Sequence, residues 1–185
     1  MNKVIPFFIL CILVAPLRLT ALEDFPLPQK LDKKGFAEVF AESGCIYFSG
    51  QPDKNSFSDL KDMGVTTVIN LRTLREMDDR RSVPFDEKRI VQGLGMDYVH
   101  IPVGGSDNPY TKEALEKFKD AFEKAKGRVL LHCSVAYRAS HMWAAYLIKY
   151  KNYSSEKALE HARAVNFGEL PVEGFLEKQA VIIFR

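Results

Sequence analysis

The sequence lacks most of the features that mark specialised architectures. It has three cysteines in 185 residues, too few for a disulfide scaffold. Its 26 basic and 24 acidic side chains nearly cancel and are interleaved, so there is no basic stripe of the kind that reads nucleic acid. Nucleic acid is excluded as an expected partner. The four histidines, His100, His132, His141 and His161, show no metal-ligand spacing, so neither a metal nor any other cofactor is expected. No internal repeat, low-complexity tract or second domain is visible. No apolar run reaches the ~20 residues that a membrane-spanning helix needs.

What is present starts at the N-terminus. Met1-Asn2-Lys3 forms a small positive region, Val4 to Leu17 is apolar apart from two prolines, and Leu19-Thr20-Ala21 ends in a small residue before Glu23-Asp24. This is the layout of a secretory signal peptide cleaved after Ala21. The expected organisation is therefore a signal peptide over 1–21, a proline-rich and charged linker over 22–34, and one domain over 35–185. The protein is expected to be secreted or periplasmic, with no stable membrane span once the signal is removed. Outside the cytoplasm, Cys45 and Cys133 are candidates for a disulfide. Alternatively, Cys45 beside Ile46-Tyr47 is a buried strand residue, and the sequence alone does not choose.

Within the domain, Cys45 to Phe48 reads as a first strand ended by Ser49-Gly50-Gln51-Pro52, in which Gln51 and Pro52 shape a turn. A short helix follows, capped by Asn55 or Ser56 and stopped by Gly64. Val65 to Leu71 is a continuous apolar and β-branched run, as expected of a strand covered on both faces. Arg72 to Arg81 is charged and reads as a solvated loop, and a helix is expected over 84–94. Tyr98 to Val103 reads as a strand, and Thr111 caps an amphipathic helix with Ala114, Leu115, Phe118, Ala121, Phe122 and Ala125 on one face. Arg128 to His132 is a short buried strand. Further helices carry the Met142-Trp143-Tyr146-Leu147-Tyr150 stripe, run to about Val165, and follow Pro171. Strands alternating with helices imply an α/β fold, a central and mainly parallel sheet of four to five strands flanked by helices.

The strongest chemical signal is His132-Cys133-Ser134-Val135-Ala136-Tyr137-Arg138, where a buried strand runs directly into a helix. Such a turn presents backbone N–H groups and the positive end of the helix dipole to an anion. Cys133 ends the strand and Arg138 begins the helix with four residues between them. Amides, dipole and guanidinium together favour a thiolate, and a guanidinium grips two anionic oxygens at once. His132 would hold the loop by hydrogen bonding to backbone. Ser134, Val135, Ala136 and Tyr137 would line the anion site with Arg138, and Arg72, at a strand end on the same edge, would brace the loop or touch substrate.

These residues resemble the phosphate-binding loop of the protein tyrosine and dual-specificity phosphatases. The chain is most similar to the bacterial phosphatase-like family named for beta-lactamase hydrolase-like proteins. The resemblance runs from about Ile46 to Val165 and rests on an ordered series. That series is Ser49-Gly50-Gln51-Pro52, Gly64-Val65, Val68-Ile69-Asn70-Leu71-Arg72, Tyr98, Ile101-Pro102-Val103, His132-Cys133 through Arg138, and Trp143-Ala144. It implies a cysteine phosphatase fold and hydrolysis of phosphomonoesters, on a phosphorylated protein or a small molecule, through a cysteinyl-phosphate on Cys133. It also implies a general acid on the loop after the preceding strand, and Asp107 in Gly104-Gly105-Ser106-Asp107-Asn108-Pro109 stands at that place. From its composition alone, the same segment reads as a plain turn.

The sequence departs from the commonest phosphatase pattern in three ways. The Cys-to-Arg spacing is one residue shorter than in most tyrosine phosphatases and matches that of rhodanese-like sulfurtransferases. Ala136 stands where such loops often carry glycine, so a positive φ there would cost roughly 1 kcal/mol or more. Ala139 stands where many phosphatases place a hydroxyl. Two further functions follow from these departures: a phosphate- or phosphoprotein-binding domain without turnover, and a sulfurtransferase.

Overall fold

The computed structural model describes residues 24–168 and 172–177; the expected signal peptide over 1–21 lies outside the described residues. One six-stranded sheet organises the chain. Its strands are β1 (Gln29–Lys30), β2 (Phe40–Ser43), β3 (Ile46–Ser49), β4 (Val65–Asn70), β5 (Asp97–His100) and β6 (Arg128–His132), in the order β1-β2-β3-β6-β4-β5. The contiguous β3, β6, β4 and β5 are mutually parallel, and β1 and β2 add two antiparallel strands at one edge. The sheet is thus mainly parallel as expected, with six strands rather than four to five.

The parallel strands alternate between two apolar layers. Ile46, Phe48, Ile69, Leu71, Val129 and Leu131 face one cluster, and Tyr47, Val68 and Leu130 face the other. The first cluster is covered by α4 (Lys112–Lys124), α5 (Tyr137–Lys151), α6 (Ser155–Val165) and the short α7 (Val172–Phe175). The second is covered by α1 (Ser56–Asp62) and α3 (Glu87–Gly93). A strand with helices on both faces has no solvent face, which is why β3, β4 and β6 are largely buried and rich in apolar and β-branched residues rather than alternating with charged ones. Helix α4 fits its expected pattern, capped by Thr111 and burying Ala114, Leu115, Phe118 and Phe122.

Four expectations need correction. Residues 24–34 are not a tether. The Phe25 ring packs edge-on against Trp143 at 4.8 Å, its N–H donates to the Tyr153 hydroxyl at 2.8 Å, and β1 joins the sheet. The expected strand over 98–103 ends at His100, although Ile101 N–H and Val103 N–H still donate to Asn70 and Leu71. The charged 72–81 stretch is not a loop throughout: Thr73 caps a helix, α2 (Leu74–Asp78), through a reciprocal capping box with Glu76. Finally, the helix expected over 84–94 starts later, at Glu87, because the Asp86 side chain accepts from Arg89 N–H as its cap.

Cys45 is also not a buried strand residue. It is exposed beside Gly44, whose φ of 58° makes the β2–β3 turn. Its carbonyl accepts from Val129 N–H at the start of β6, whereas Cys133 follows the end of that strand. Four residues of strand separate the two ends by about 13 Å, and a disulfide needs Cα atoms within about 7 Å. An internal Cys45–Cys133 bond is excluded.

Candidate active site

Strand β6 delivers Cys133 to the C-terminal edge of the sheet, and α5 begins four residues later. The intervening loop is held from three sides. Cys133 N–H donates to the Ser49 carbonyl, and Gln51 N–H donates to the Ser134 carbonyl. The Asn166 side-chain amide donates to the Val135 carbonyl at 2.5 Å. Gly50 pairs with Val135, and the approach is so close that a Cβ at Gly50 would lie 1.8 Å from the Ala37 carbonyl oxygen and 2.9 Å from that of Ser134. Only glycine fits there. The sequence read the Ser49-to-Pro52 segment as a turn; it is in fact a wall of the loop.

Ala136 is the N-cap of α5 and has φ 67° and ψ 0°, the left-handed conformation, with no side chain capping the helix. The strain expected of alanine at a positive φ is therefore present, roughly 1 kcal/mol, and the surrounding bonds hold it in place. A helix N-terminus leaves its first N–H groups without intrahelical acceptors. Here they open onto a cleft of about 1270 Å³ whose lining includes Cys133, Ser134, Val135, Tyr137 and Arg138. Cys133 itself is fully buried.

The Arg138 guanidinium behaves differently from its sequence expectation. Its fork does hold two oxygens, but they belong to Glu76, at 2.7 and 2.6 Å from Nη1 and Nη2. Nη1 also donates to the Val103 and Leu71 carbonyls, and Nη2 to the Ser134 hydroxyl. No bond to Nε is present among the described residues. Burial works against the Arg138 charge, but the Glu76 hydrogen bonds and the nearby Cys133 outweigh it and raise its pKa further. For Glu76, burial pushes upward, yet the bonds from Arg138 and Thr73 bring its carboxyl from 4.5 down to about 2. Glu76 belonged to a stretch read as solvated; its place three residues after Thr73, in capping-box spacing, was the available signal.

The Glu76 contact has a pH signature. Its carboxyl is more acidic folded than unfolded, so its contribution to stability is complete above the unfolded value near 4.5 and is lost as pH falls toward 2. Glu76→Gln is therefore expected to lower stability at neutral pH and to make the loss of stability between pH 4.5 and 2 shallower. Chemical denaturation at a series of pH values measures both. Parallel curves for the two proteins would contradict the pairing.

The other expected residues divide. Arg72 is buried and braces the site: Nη1 donates to Gln51 Oε1 at 2.7 Å, and Nη2 donates to the Glu76 carbonyl at 3.4 Å. Asp107 is exposed on the loop between β5 and α4, and it lines the same cleft as Cys133 and Arg138. Gly104 and Gly105 give that loop positive φ values of 130° and 72°. Tyr137 is exposed on the cleft rim. His132 is not bonded to backbone as expected: its Nε2 meets the Glu87 carboxylate at 3.1 Å, both side chains fully buried. Among the described residues no group of three or more metal-ligating side chains comes together. None of their helices is long and apolar enough to cross a membrane.

Residues 42–148 match the family described as beta-lactamase hydrolase-like protein, phosphatase-like domain. The beta-lactamase hydrolase-like protein of Xylella fastidiosa strain 9a5c is 29% identical over 138 residues, covering 74% of this chain and 31% of that protein. The chain thus spans about a third of the length of the curated relatives it matches. A provisionally assigned phosphatase of Shewanella putrefaciens CN-32 has a similar crystal structure, with a TM-score of 0.60 and 32% identity, covering 78% of this chain and 91% of that one. The active form of Tk-PTP shares the fold, with a TM-score of 0.59 at 20% identity over 72% of this chain and 88% of that one.

Proposed function

Because the chain belongs to the phosphatase-like domain family of the beta-lactamase hydrolase-like proteins, we propose that it is an exported, cysteine-dependent phosphomonoester phosphatase of the dual-specificity-like kind. One observation carries this reading. Cys133 and Arg138 bracket an uncapped helix N-terminus that opens into a cleft also lined by Asp107. Family membership does not favour the sulfurtransferase alternative, although the loop length is shared with it.

In the proposed reaction the Cys133 thiolate attacks phosphorus, and the bond to the leaving oxygen breaks as Asp107 gives that oxygen a proton. The loop N–H groups of residues 134–138 and the Arg138 guanidinium stabilise the equatorial oxygens. Water then attacks the cysteinyl-phosphate, Asp107 takes its proton, and inorganic phosphate and the thiolate are released. The exposed side chains of Leu74 and Tyr137 on the cleft rim offer apolar contact to the organic part of a phosphorylated protein or small phosphomonoester. Export, supported by the layout of residues 1–21, adds one condition: the Cys133 thiol must stay reduced outside the cytoplasm. Cys45 is too distant to form a disulfide with it within the same chain.

Hydrolysis of p-nitrophenyl phosphate between pH 5 and 7, with Cys133 reduced, tests the proposal. Asp107→Asn is expected to lower kcat about 100-fold, the lower end of general acid–base contributions. Release of p-nitrophenolate at the same rate by both proteins would remove Asp107 from the mechanism. Binding of phosphate without any release would leave the domain as a phosphate- or phosphoprotein-binding module. The strain at Ala136 and the alanine at 139 are the features that would go with that outcome.

A further inference from the structure

Beside the loop lies a polar cluster that the proposed mechanism does not use and whose members are not among the residues lining the cleft. Glu87, the first residue of α3, is fully buried at its side chain. Its carboxylate accepts from three donors: Gln51 Nε2 at 2.6 Å, Asn70 Nδ2 at 2.7 Å and His132 Nε2 at 3.1 Å. Each donor stands at or just past the C-terminal end of a parallel strand, namely β3, β4 and β6. Burial would raise the Glu87 carboxyl, but attraction to His132 and these hydrogen bonds reverse that and hold it below the usual range. A buried ionic cluster of this kind is weak evidence for stability, because apolar side chains would fill the space at less cost.

What the cluster does follows from its contacts. His132 precedes Cys133 directly and is fully buried. Its Nδ1 is also buried and has no hydrogen-bond partner among the described residues, so the only hydrogen bond found for the ring is the one to Glu87. The rest of the loop is anchored without Glu87: Ser134 by Gln51 N–H, Val135 by Asn166, and Arg138 by Glu76, Val103 and Leu71. Among the described residues Arg138 and Tyr110 are the other charged or titratable groups found to bear on Cys133, Glu76 acts on both of them, and Arg72 and Asp107 line the same cleft. We infer that Glu87 is a positioning residue that sets the reactivity of Cys133 through His132, separately from the groups that bind the anion.

This inference rests on the reading of Cys133 as the reactive thiol of an anion loop, and its test needs no turnover. In a Cys11→Ser/Cys45→Ser background Cys133 is the one remaining thiol, and its alkylation by iodoacetamide is followed at pH 6 with and without inorganic phosphate. Glu87→Gln keeps the side-chain shape but removes the charge. Alkylation is expected to slow about tenfold, the scale of one charge partner on a thiol. The phosphate concentration that half-protects Cys133 should change less than about threefold, because neither Glu87 nor His132 is bonded to the loop amides of residues 134–138 or to the Arg138 guanidinium. His132→Gln should give the same split, and the double variant should be no slower than His132→Gln alone if Glu87 acts on Cys133 through His132 rather than through Gln51.

A role in folding alone would move both readouts together, or leave alkylation unchanged in the folded protein, and either result overturns the inference. Additive slowing in the double variant overturns it as well. Should Glu87→Gln fail to fold by circular dichroism, His132→Gln, which leaves Glu87 its Gln51 and Asn70 donors, decides alone: an unchanged alkylation rate overturns it. A native protein that phosphate does not protect would remove the proposed function, while the alkylation comparison would still decide the role of Glu87.

Discussion

Cys133→Ser is expected to lower hydrolysis of a chromogenic phosphomonoester by roughly 10⁴-fold or more, the scale on which loss of a nucleophile acts, while leaving inorganic phosphate binding within about threefold. The two halves of this result come from different atoms. In the proposed mechanism the sulfur is the group that forms the covalent bond, and among the described residues no basic side chain is found hydrogen-bonded to the Cys133 side chain that would activate a hydroxyl there. The proposed anion cradle is the backbone of residues 134–138 and the Arg138 guanidinium, both held by bonds that do not involve the Cys133 side chain. Cys133 is fully buried and packs in the larger core cluster, so the smaller oxygen is tolerated with little rearrangement. Steady-state rates and titration with phosphate give the two numbers. A variant that still hydrolyses at more than about a hundredth of the native rate would show that Cys133 is not the nucleophile; one that loses phosphate binding as well would show that the sulfur helps build the cradle.

Most of the fold was legible because its signals are local. The apolar and β-branched runs of β4 and β6 mark strands with helices on both faces, and the face of α4 and the stop at Gly64 follow from the same short-range rules. The Cys133-to-Arg138 segment was legible too, since a strand running into a helix is visible in sequence. What escaped were long-range partners. Glu76 sits in a stretch whose charge reads as solvation and Glu87 in an expected helix with nothing to single it out, and only the fold brings them 62 and 45 positions along the chain to Arg138 and His132. Asn166 reaches the loop from 31 positions away and lies beyond the family match at 42–148. The strand edge formed by residues 24–34 was missed for a similar reason: two residues of β1 are too short to show an alternation, and Phe25 reveals itself only once Trp143 is in place beside it.

Arg138→Lys is expected to lower kcat/KM by roughly 10² to 10³, the range seen when one preorganised donor to a developing anion is removed, and to destabilise the fold by about 1 to 3 kcal/mol. Charge is unchanged, so geometry alone is on trial. The guanidinium reaches both Glu76 oxygens, two carbonyls and the Ser134 hydroxyl from one rigid plane. An ammonium has three donors on a single atom and cannot span that set. The Val103 and Leu71 carbonyls at the buried end of the contact then lose their partner, which is the main source of the stability loss; Glu76 keeps 30% of its side chain in solvent and recovers part of its own. Since Nη1 and Nη2 are committed to the protein, the edge at Nε is the part of the group left to face a substrate, and the Glu76 bonds fix the plane in which it faces. That arrangement makes a specific demand on the double variant. If Glu76 works by orienting Arg138, then Arg138→Lys/Glu76→Gln should lose little more kcat/KM than Arg138→Lys alone. If Glu76 instead competes with the substrate for the fork, Glu76→Gln by itself should raise phosphate affinity, and the orienting role would be refuted.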